Sequence, residues 1–208
     1  MARRVNLLHS IRSEINGNLF VQYIDVTDTK RGMEILAGLI EKMNGADLIV
    51  ISAGIGVAND SLSWNIEHKT IKTNVTGFAA IANVAIEHFI EKGSGHLVGI
   101  SSISALRGGK ESPAYNASKA FEANYMEGLR KKIKGLRLPI AVSDIKPGFV
   151  ETDMVKGDGI YWAAPAEKAA RQIYNAIKKK KRHAYITRRW RLIAWILKII
   201  PSGIFERI

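Results

Sequence analysis

The sequence from His96 to Lys119, HLVGISSISALRGGKESPAYNASK, contains the features that decide the fold. Its first part, Leu97 to Ile100, is an apolar run that ends in serines, which is typical of a buried parallel strand whose carboxyl end meets a ligand crevice. Tyr115 and Lys119 follow in a predicted helix, where a spacing of four residues places both side chains on one face. We therefore expect a phenol and an ammonium group side by side at one edge of a sheet.

This pair of side chains has a chemical use. A nearby cation favours the ionised form of a phenol, so a tyrosine beside a lysine is a candidate general acid/base. The pair alone leaves a second interpretation open, in which the tyrosine packs and the lysine is solvated on an ordinary helix surface. Motifs elsewhere in the chain are needed to distinguish the catalytic interpretation from the structural one.

Length and composition indicate one globular domain without a metal site. The chain has 208 residues, 47% of them hydrophobic and 24% charged, which is ordinary for a domain with a sizeable core. It has no cysteine, and its five histidines lack the spacing of metal ligands, so we predict neither disulfides nor a bound metal. The amino terminus resembles no secretory signal, which favours a cytoplasmic protein.

The net charge of +12 is concentrated near the carboxyl terminus, where Lys178 to Arg191 contains eight Lys or Arg and no Asp or Glu. Such a block favours anionic lipid or nucleic acid as a partner, or it is a solvated tail. No nucleic-acid-binding module is recognisable, so nucleic acid ranks last.

An apolar segment with two tryptophans, from Arg188 to Ile200, overlaps the end of this basic block. It is shorter than the roughly 20 apolar residues that a bilayer span requires. We expect residues 178–200 to lie on an anionic membrane surface as a peripheral contact. The alternative is a helix that covers the substrate cleft or contacts another subunit.

Strands and helices alternate along the chain. We predict strands at 19–24, 47–51, 97–100, 140–145 and 184–186, and helices at 4–15, 28–43, 63–92, 115–134 and 165–179. This alternation implies a parallel sheet with helices on both faces, because each parallel pair of strands needs a crossover. Functional residues then gather at the carboxyl ends of the strands.

Several motifs occur together in the order of a known family. They are Asn74 within Lys72-Thr73-Asn74-Val75, Ser102 thirteen residues before Tyr115, Tyr115-Asn116-Ala117-Ser118-Lys119, and Pro147-Gly148-Phe149-Val150-Glu151-Thr152. With these motifs the chain, from Arg3 to about Thr187, resembles the classical short-chain dehydrogenase/reductase family. The resemblance implies an α/β fold, namely a Rossmann-like doubly wound parallel sheet over residues 1–187, N-terminally truncated, followed by a basic amphipathic tail at 188–208.

The resemblance also implies an NAD(P)-dependent oxidoreductase that interconverts a carbonyl and a secondary alcohol, with a lipophilic substrate expected. Tyr115 would transfer the proton, and Ser102 would hydrogen-bond the reacting oxygen. Lys119 would hold the nicotinamide ribose, and Asn74 would anchor a water in a proton relay. The structural alternatives are a strand-end cap for Ser102, a helix irregularity for Asn74 and a surface charge for Lys119.

Further residues of this sequence match cofactor-binding positions of the family. They are Asp25 and Val26 beside the adenine, Ser52, Ala53 and Gly54 after the strand at 47–51, Pro147, Gly148, Val150 and Thr152 beside the nicotinamide, and the pair Tyr115 and Lys119. Ser52 departs from the asparagine of the family motif. Arg3 resembles a residue that binds the 2′-phosphate of NADP, so we expect NADP, with NAD or a simple basic flank as the alternatives. Tyr161 and Trp162 would contact the substrate.

The family's first strand and its Thr-Gly-x-x-x-Gly-x-Gly turn do not occur in this sequence. Without them the strand at 47–51 becomes an exposed edge, and the strand at 19–24 loses its neighbour. We expect either that the strand at 19–24 shifts beside 47–51 or that the edge pairs with another chain. The chain would then be a truncated dehydrogenase, and a non-catalytic protein that binds a membrane surface or a partner is the second function. A homo-oligomer is expected, because the helices of Asn74 and Tyr115 resemble those through which the family pairs.

Overall fold

The structure is a computed structural model that describes residues 1–15, 17–152 and 162–207. Four parallel strands form one sheet in the order β1-β2-β3-β4. The strands are β1 (Leu48–Ile51), β2 (Gly95–Ile100), β3 (Ile140–Pro147) and β4 (His183–Ile186). At least one helix lies between each pair of consecutive strands, and the predicted α/β fold with a parallel sheet is confirmed.

Eight α-helices are present in the described part of the chain. They are α1 (Val5–Glu14), α2 (Thr29–Lys42), α3 (Trp64–Ile71), α4 (Phe78–Lys92), α5 (Pro113–Leu136), α6 (Ala166–Lys178), α7 (Trp190–Ile199) and α8 (Ser202–Phe205). A π-helix (Lys72–Gly77) joins α3 to α4, and a 3₁₀ helix (Ile103–Leu106) follows β2.

Local sequence signals explain where several helices begin. The Asp28 side chain accepts a hydrogen bond from the backbone N–H of Arg31 and caps α2, as its position before the apolar repeat predicts. Pro113 occupies the first turn of α5, where its missing N–H costs no helical hydrogen bond. Pro165 directly precedes α6, which confirms the predicted start of that helix within one residue.

The sheet is covered on both faces. Leu97 and Val98 are neighbours on β2 and therefore point to opposite faces, yet both are fully buried. Leu97 belongs to the larger core with residues of α2, α4 and α5, and Val98 belongs to a smaller core with residues of α6. The continuous apolar run of β2 thus reflects burial on both faces of the sheet, as the sequence predicts.

The strand predicted at 19–24 is wrong. In the described structure this segment forms one isolated bridge, in which Tyr23 lies opposite Ala2 near the amino terminus. The predicted edge at 47–51 is confirmed as β1, but the expected shift of 19–24 beside it does not occur. A strand requires a partner for its backbone hydrogen bonds, and the segment has only the short amino-terminal stretch beside it.

The helix predicted at 63–92 is confirmed as one continuous helical segment from Trp64 to Lys92, but a π-helix interrupts its α-helical hydrogen-bond pattern. Hydroxyl groups of Thr73 and Thr76 bond to the carbonyl oxygens of Lys69 and Lys72, four residues earlier, which disturbs the regular helical pattern. The bulge buries Asn74 completely and directs it into the protein. Single π-turns inside α-helices are frequent at functional sites. The remaining predicted helices and strands are confirmed within a few residues.

Candidate active site

The candidate active site lies where the carboxyl ends of β1 and β2 meet the first turns of α5. The Nζ atom of Lys119 is 5.9 Å from the centre of the Tyr115 ring, so the predicted pairing on one helix face is confirmed. Lys119 is almost fully buried, which rules out its interpretation as a solvated surface charge. The helix therefore holds a buried cation beside a half-buried phenol.

Lys119 is fixed by three hydrogen bonds. Its Nζ donates to the backbone oxygen of Ile100 at 3.2 Å and to both carboxylate oxygens of Glu122 at 2.9 Å each. Burial raises the pKa of Glu122 to about 7, although the Lys119 charge acts to lower it. The ammonium is thus attached to the end of β2 on one side and to a buried acid on the other.

Glu122 is a site residue that sequence reasoning missed. It lies three residues after Lys119, a spacing that is common on solvated helix surfaces and drew no attention. A signal was nevertheless present, because Glu122 falls in helical register with Ser118, Met126 and Leu129, which line the buried face of α5. An acid within such a stripe needs a buried partner.

Asn74 joins three parts of the site. Its Oδ1 accepts a hydrogen bond from the Ile55 N–H at 2.9 Å, and its Nδ2 donates to the Ile55 oxygen at 2.8 Å and to Ser118 Oγ at 2.9 Å. Both amide hydrogens are therefore engaged, and the loop after β1 is tied to α5. The helix irregularity that the sequence analysis left as an alternative is present, and it serves to bring this amide inside.

The loop after β1 passes directly against the pair. A Cβ at Gly54 would lie 3.2 Å from Lys119 Nζ, and one at Gly56 would lie 3.0 Å from Cε2 of Tyr115. These distances are shorter than ordinary van der Waals contacts, so Lys119 or Tyr115 would have to shift to admit a larger residue in the loop. The loop, Asn74 and α5 form one packed unit.

The two serines at the end of β2 have different partners. Ser102 Oγ accepts a hydrogen bond from the Ser104 N–H at 3.1 Å and caps the 3₁₀ helix, so the strand-end cap is observed. A hydroxyl in that role keeps its own hydrogen for a further bond. Ser101 Oγ instead donates to Asp144 on β3 at 2.5 Å.

A cavity of about 600 Å³ brings together residues from the amino-terminal half of the chain. Its lining includes six residues predicted to bind the cofactor, namely Arg3, Asp25, Val26, Ser52, Ala53 and Gly54. Hydrogen bonds from Thr27 to Asp25 lower the pKa of that carboxyl group, with smaller contributions from the Arg3 and Lys72 charges. The volume lies within the range of ordinary small-molecule sites.

The predicted nicotinamide-side loop packs against the carboxyl-terminal tail. The Gly148 N–H donates to the Ile186 oxygen, and the ring of Trp190 occupies the space where a Cβ of Gly148 would lie. Phe149 meets the same ring edge-on at 5.5 Å. Pro147 ends β3, Val150 bridges Ala164, and Thr152 donates from Oγ1 to the Val150 oxygen.

The tail closes over a second, smaller cavity of about 160 Å³ between the 3₁₀ helix and α5. Arg107 fastens it, donating to the carbonyl oxygens of Leu197 and Ile200 and stacking on the Phe205 ring. The walls are mostly apolar and include Ile103, Phe149, Trp190 and Phe205.

Trp162 and Tyr161, the two residues predicted to contact substrate, have different outcomes. Trp162 is largely exposed and lies against Arg189 and Trp190 of the tail. Tyr161 lies outside the described residues.

Among the described side chains, no group of three or more histidine or acidic residues could hold a metal ion. No helix within the described ranges is both long and apolar enough to cross a membrane.

Comparison with known proteins identifies relatives of this chain. A family model described as short chain dehydrogenase matches residues 1–159. An uncharacterised oxidoreductase of Myxococcus xanthus is 36% identical over 157 residues, which cover 73% of this chain and 61% of the relative. The chain spans about six tenths of the length of such curated relatives.

Solved structures show the same fold. A short-chain dehydrogenase from Streptomyces avermitilis superposes with a TM-score of 0.77 at 22% identity, covering 99% of this chain and 81% of that chain. A short-chain dehydrogenase from Burkholderia cenocepacia, crystallised in complex with NADP, gives a TM-score of 0.75 at 19% identity over 89% of this chain and 78% of that chain.

Proposed function

The chain belongs to the short-chain dehydrogenase family, and on that premise we propose that it is an NADP-dependent oxidoreductase that interconverts a carbonyl and a secondary alcohol. The observation that carries the proposal is the pairing of the half-buried Tyr115 with the buried Lys119, packed against the loop at Gly54 and Gly56. A phenol beside a fixed cation, at the edge of a parallel sheet, suits proton exchange with an alcohol oxygen.

A nicotinamide cofactor, when bound, would supply the hydride chemistry of the proposed reaction. The Tyr115 hydroxyl donates a proton to the carbonyl oxygen during reduction and takes it back during oxidation. Ser102 donates its free hydroxyl hydrogen to the same oxygen and so stabilises the charge that develops there. Lys119 places a positive charge beside the Tyr115 ring and would hydrogen-bond ribose hydroxyl groups by exchanging one of its present partners. Asn74 acts by keeping the loop after β1 closed against α5.

The residues around the larger cavity fit the adenosine end of a dinucleotide. The cavity is large enough for a nucleoside, and the Asp25 carboxylate at its wall is held ionised by Thr27. We propose that the exposed guanidinium of Arg3 binds the 2′-phosphate of NADP, since a planar fork matches phosphate oxygens. The NADP-bound relative from Burkholderia cenocepacia supports this choice over NAD.

We propose a lipophilic substrate for the smaller cavity. Aromatic rings of Phe149, Trp190 and Phe205 and the side chain of Ile103 form its walls, so they favour an apolar compound. Arg107 is occupied by the tail carbonyl groups and is a weaker candidate for binding an anionic substrate.

Nucleotide binding tests the proposal directly. In a fluorescence titration we expect micromolar NADPH binding, and we expect Arg3→Ala to weaken it about tenfold while NADH affinity stays unchanged, because a charge-assisted phosphate bond is lost. Arg12→Ala, which removes the same charge at an exposed position of α1 outside the lining of this cavity, serves as the control. Failure of the chain to bind either nucleotide would contradict the oxidoreductase assignment and favour the non-catalytic alternative.

A specific observation favours a membrane-surface role in addition. Helix α7 buries Trp190 and Ala194, but its opposite face leaves Leu192, Trp195 and Ile199 exposed at 64%, 62% and 59%. Residues 168–205 contain eleven Lys or Arg and no Asp or Glu. An apolar helix face in such basic surroundings suits an anionic lipid surface. We propose that the tail, residues 188–208, is a membrane-contact segment attached to the domain formed by residues 1–187.

Vesicle sedimentation tests the membrane proposal. We expect the chain to sediment with phosphatidylserine vesicles and not with neutral phosphatidylcholine vesicles. Trp195→Ser should lower the bound fraction severalfold, because the ring inserts at headgroup depth. Trp64→Ser is the matched control, since Trp64 is an equally exposed tryptophan on α3. Equal vesicle binding by the Trp195 variant, with loss of a dimer in sedimentation velocity, would identify the face as a subunit contact instead.

A further inference from the structure

Glu122 is a buried acid that the proposed mechanism does not use. Its side chain is 1% exposed, and both carboxylate oxygens lie 2.9 Å from Lys119 Nζ. A buried carboxylate is costly unless it is paired and hydrogen-bonded. The partner that stabilises Glu122 is the one cation that the proposed chemistry needs.

The hydrogen-bond donors of Lys119 are fully occupied. An ammonium group has three donors, and these meet the Ile100 oxygen and the two oxygens of Glu122. The backbone at Gly54 closes a further side, since even a Cβ there would approach Nζ to 3.2 Å. A ribose hydroxyl that bonds to Lys119 must therefore displace or share one of the bonds to Glu122.

We propose that Glu122 is a positioning residue that sets how much of the Lys119 charge and hydrogen-bonding capacity the site offers to a nucleotide. The inference rests on the proposed function, because it concerns a ligand at the same lysine. When Glu122 is ionised, the two side chains form a neutral pair held against β2. When Glu122 is protonated, the ammonium keeps its charge and regains a donor for an anionic ligand.

The surroundings of Glu122 place this change near neutral pH. Burial raises its pKa to about 7, and Lys119 is the charged neighbour that opposes the rise. On β3, which α5 also packs against, Asp144 and Lys146 pair with each other. On the π-helix the buried Asn74 carries no charge and bonds to Ser118 of α5. Because the folded pKa lies above the ordinary glutamate value, the protonated form gains as the pH falls below 7.

The first test needs no ligand. In the full chain labelled with ¹³C at the glutamate carboxyl groups, we expect one resonance, assigned by its loss in Glu122→Gln, to titrate near pH 7. In Lys119→Met the midpoint should rise further by about one pH unit, because the opposing charge is gone. A native titration near the ordinary glutamate value of 4.5 would overturn the inference. So would a midpoint that Lys119→Met does not move.

The second test measures binding as a function of pH. We expect NADPH affinity of the native chain to fall about tenfold between pH 6 and pH 8, and we expect Glu122→Gln to remove most of that dependence. Glu127→Gln is the matched control, since Glu127 lies on the same helix in an exposed pair with Lys131 at 3.6 Å. A native pH dependence in Glu122→Gln would overturn the inference.

The two tests separate the inference from the proposed function. A chain that binds no NADPH at any pH contradicts the proposed function, while the carboxyl titration and its dependence on Lys119 still decide whether the pair behaves as described. Circular dichroism checks that Glu122→Gln is folded. Should it unfold, the resonance is identified by its shift in Lys119→Met, and the absence of any glutamate resonance that titrates near pH 7 and shifts in Lys119→Met would overturn the inference.

Discussion

Replacing Tyr115 by phenylalanine is expected to lower kcat/KM for NADPH-dependent reduction of an apolar ketone by about 10²- to 10⁴-fold. This is the usual contribution of a positioned proton donor, and the substitution removes only the hydroxyl group. The ring keeps its place against Gly56, so the loop after β1 should remain packed. NADPH affinity, measured by fluorescence, should change far less than turnover, because the lost interaction forms mainly in the transition state.

Tyr125 provides the control for this experiment. It lies on the same helix, stacked on Phe121 at 5.5 Å, and belongs to the larger core rather than to the site. Tyr125→Phe removes the same atom and should leave kcat/KM close to the native value. Turnover by Tyr115→Phe at the level of Tyr125→Phe would show that Tyr115 is not the proton donor, even if nucleotide binding is intact.

The parts of the site that sequence predicts well depend on local spacing. A separation of four residues on a helix determines that Tyr115 and Lys119 share a face, whatever the rest of the fold does. The apolar run of β2 and its serines likewise place Ser102 at the end of a strand. These features need no knowledge of distant residues.

Other parts of the site depend on distant residues. Asn74 bonds to Ile55 and Ser118, which lie 19 and 44 residues away along the chain, and no local pattern announces these contacts. The failed strand at 19–24 has the same cause, because its apolar and aromatic composition suits a strand but a strand also needs a neighbour to pair with. The role of Glu122 was missed because its burial depends on residues far along the chain, although its partner Lys119 is only three residues away.

A second buried ion pair is expected to have the largest effect on stability. Asp144 on β3 is fully buried and pairs with Lys146, also buried, while its other oxygen accepts from Ser101 Oγ at 2.5 Å. His183 on β4 approaches it at 3.5 Å through Nδ1, and burial together with the Arg130 charge lowers the pKa of that imidazole to about 4. The network therefore contains one anion, one cation and a neutral histidine at pH 7, and it joins three strands.

Asp144→Asn should lower the free energy of unfolding by about 3 kcal/mol at pH 7, since breaking a buried pair from one side leaves an uncompensated charge. Urea denaturation measures the change. Asp47→Asn is the matched control, because Asp47 forms an exposed pair with Lys92 at 2.5 Å, and it should cause no measurable loss. The double variant Asp144→Asn/Lys146→Met should recover most of the stability, because no buried charge is left unpaired. An Asp144 variant as stable as the Asp47 variant would contradict the role of the pair.

The loss of stability in Asp144→Asn should also depend on pH, in a direction that the pKa of Lys146 determines. Burial, with the Arg130 and Lys198 charges, lowers the pKa of Lys146 from 10.5 to about 8. The native state therefore binds fewer protons than the unfolded state between these two pH values, so the free energy of unfolding rises with pH across that window. Without the carboxylate of Asp144 the pKa of Lys146 should fall further. The free energy of unfolding of Asp144→Asn should therefore begin to rise at a lower pH than that of the native chain. The deficit of Asp144→Asn relative to the native chain should accordingly narrow between pH 7 and pH 9.5, and a deficit that is constant with pH would show that Lys146 is not its source.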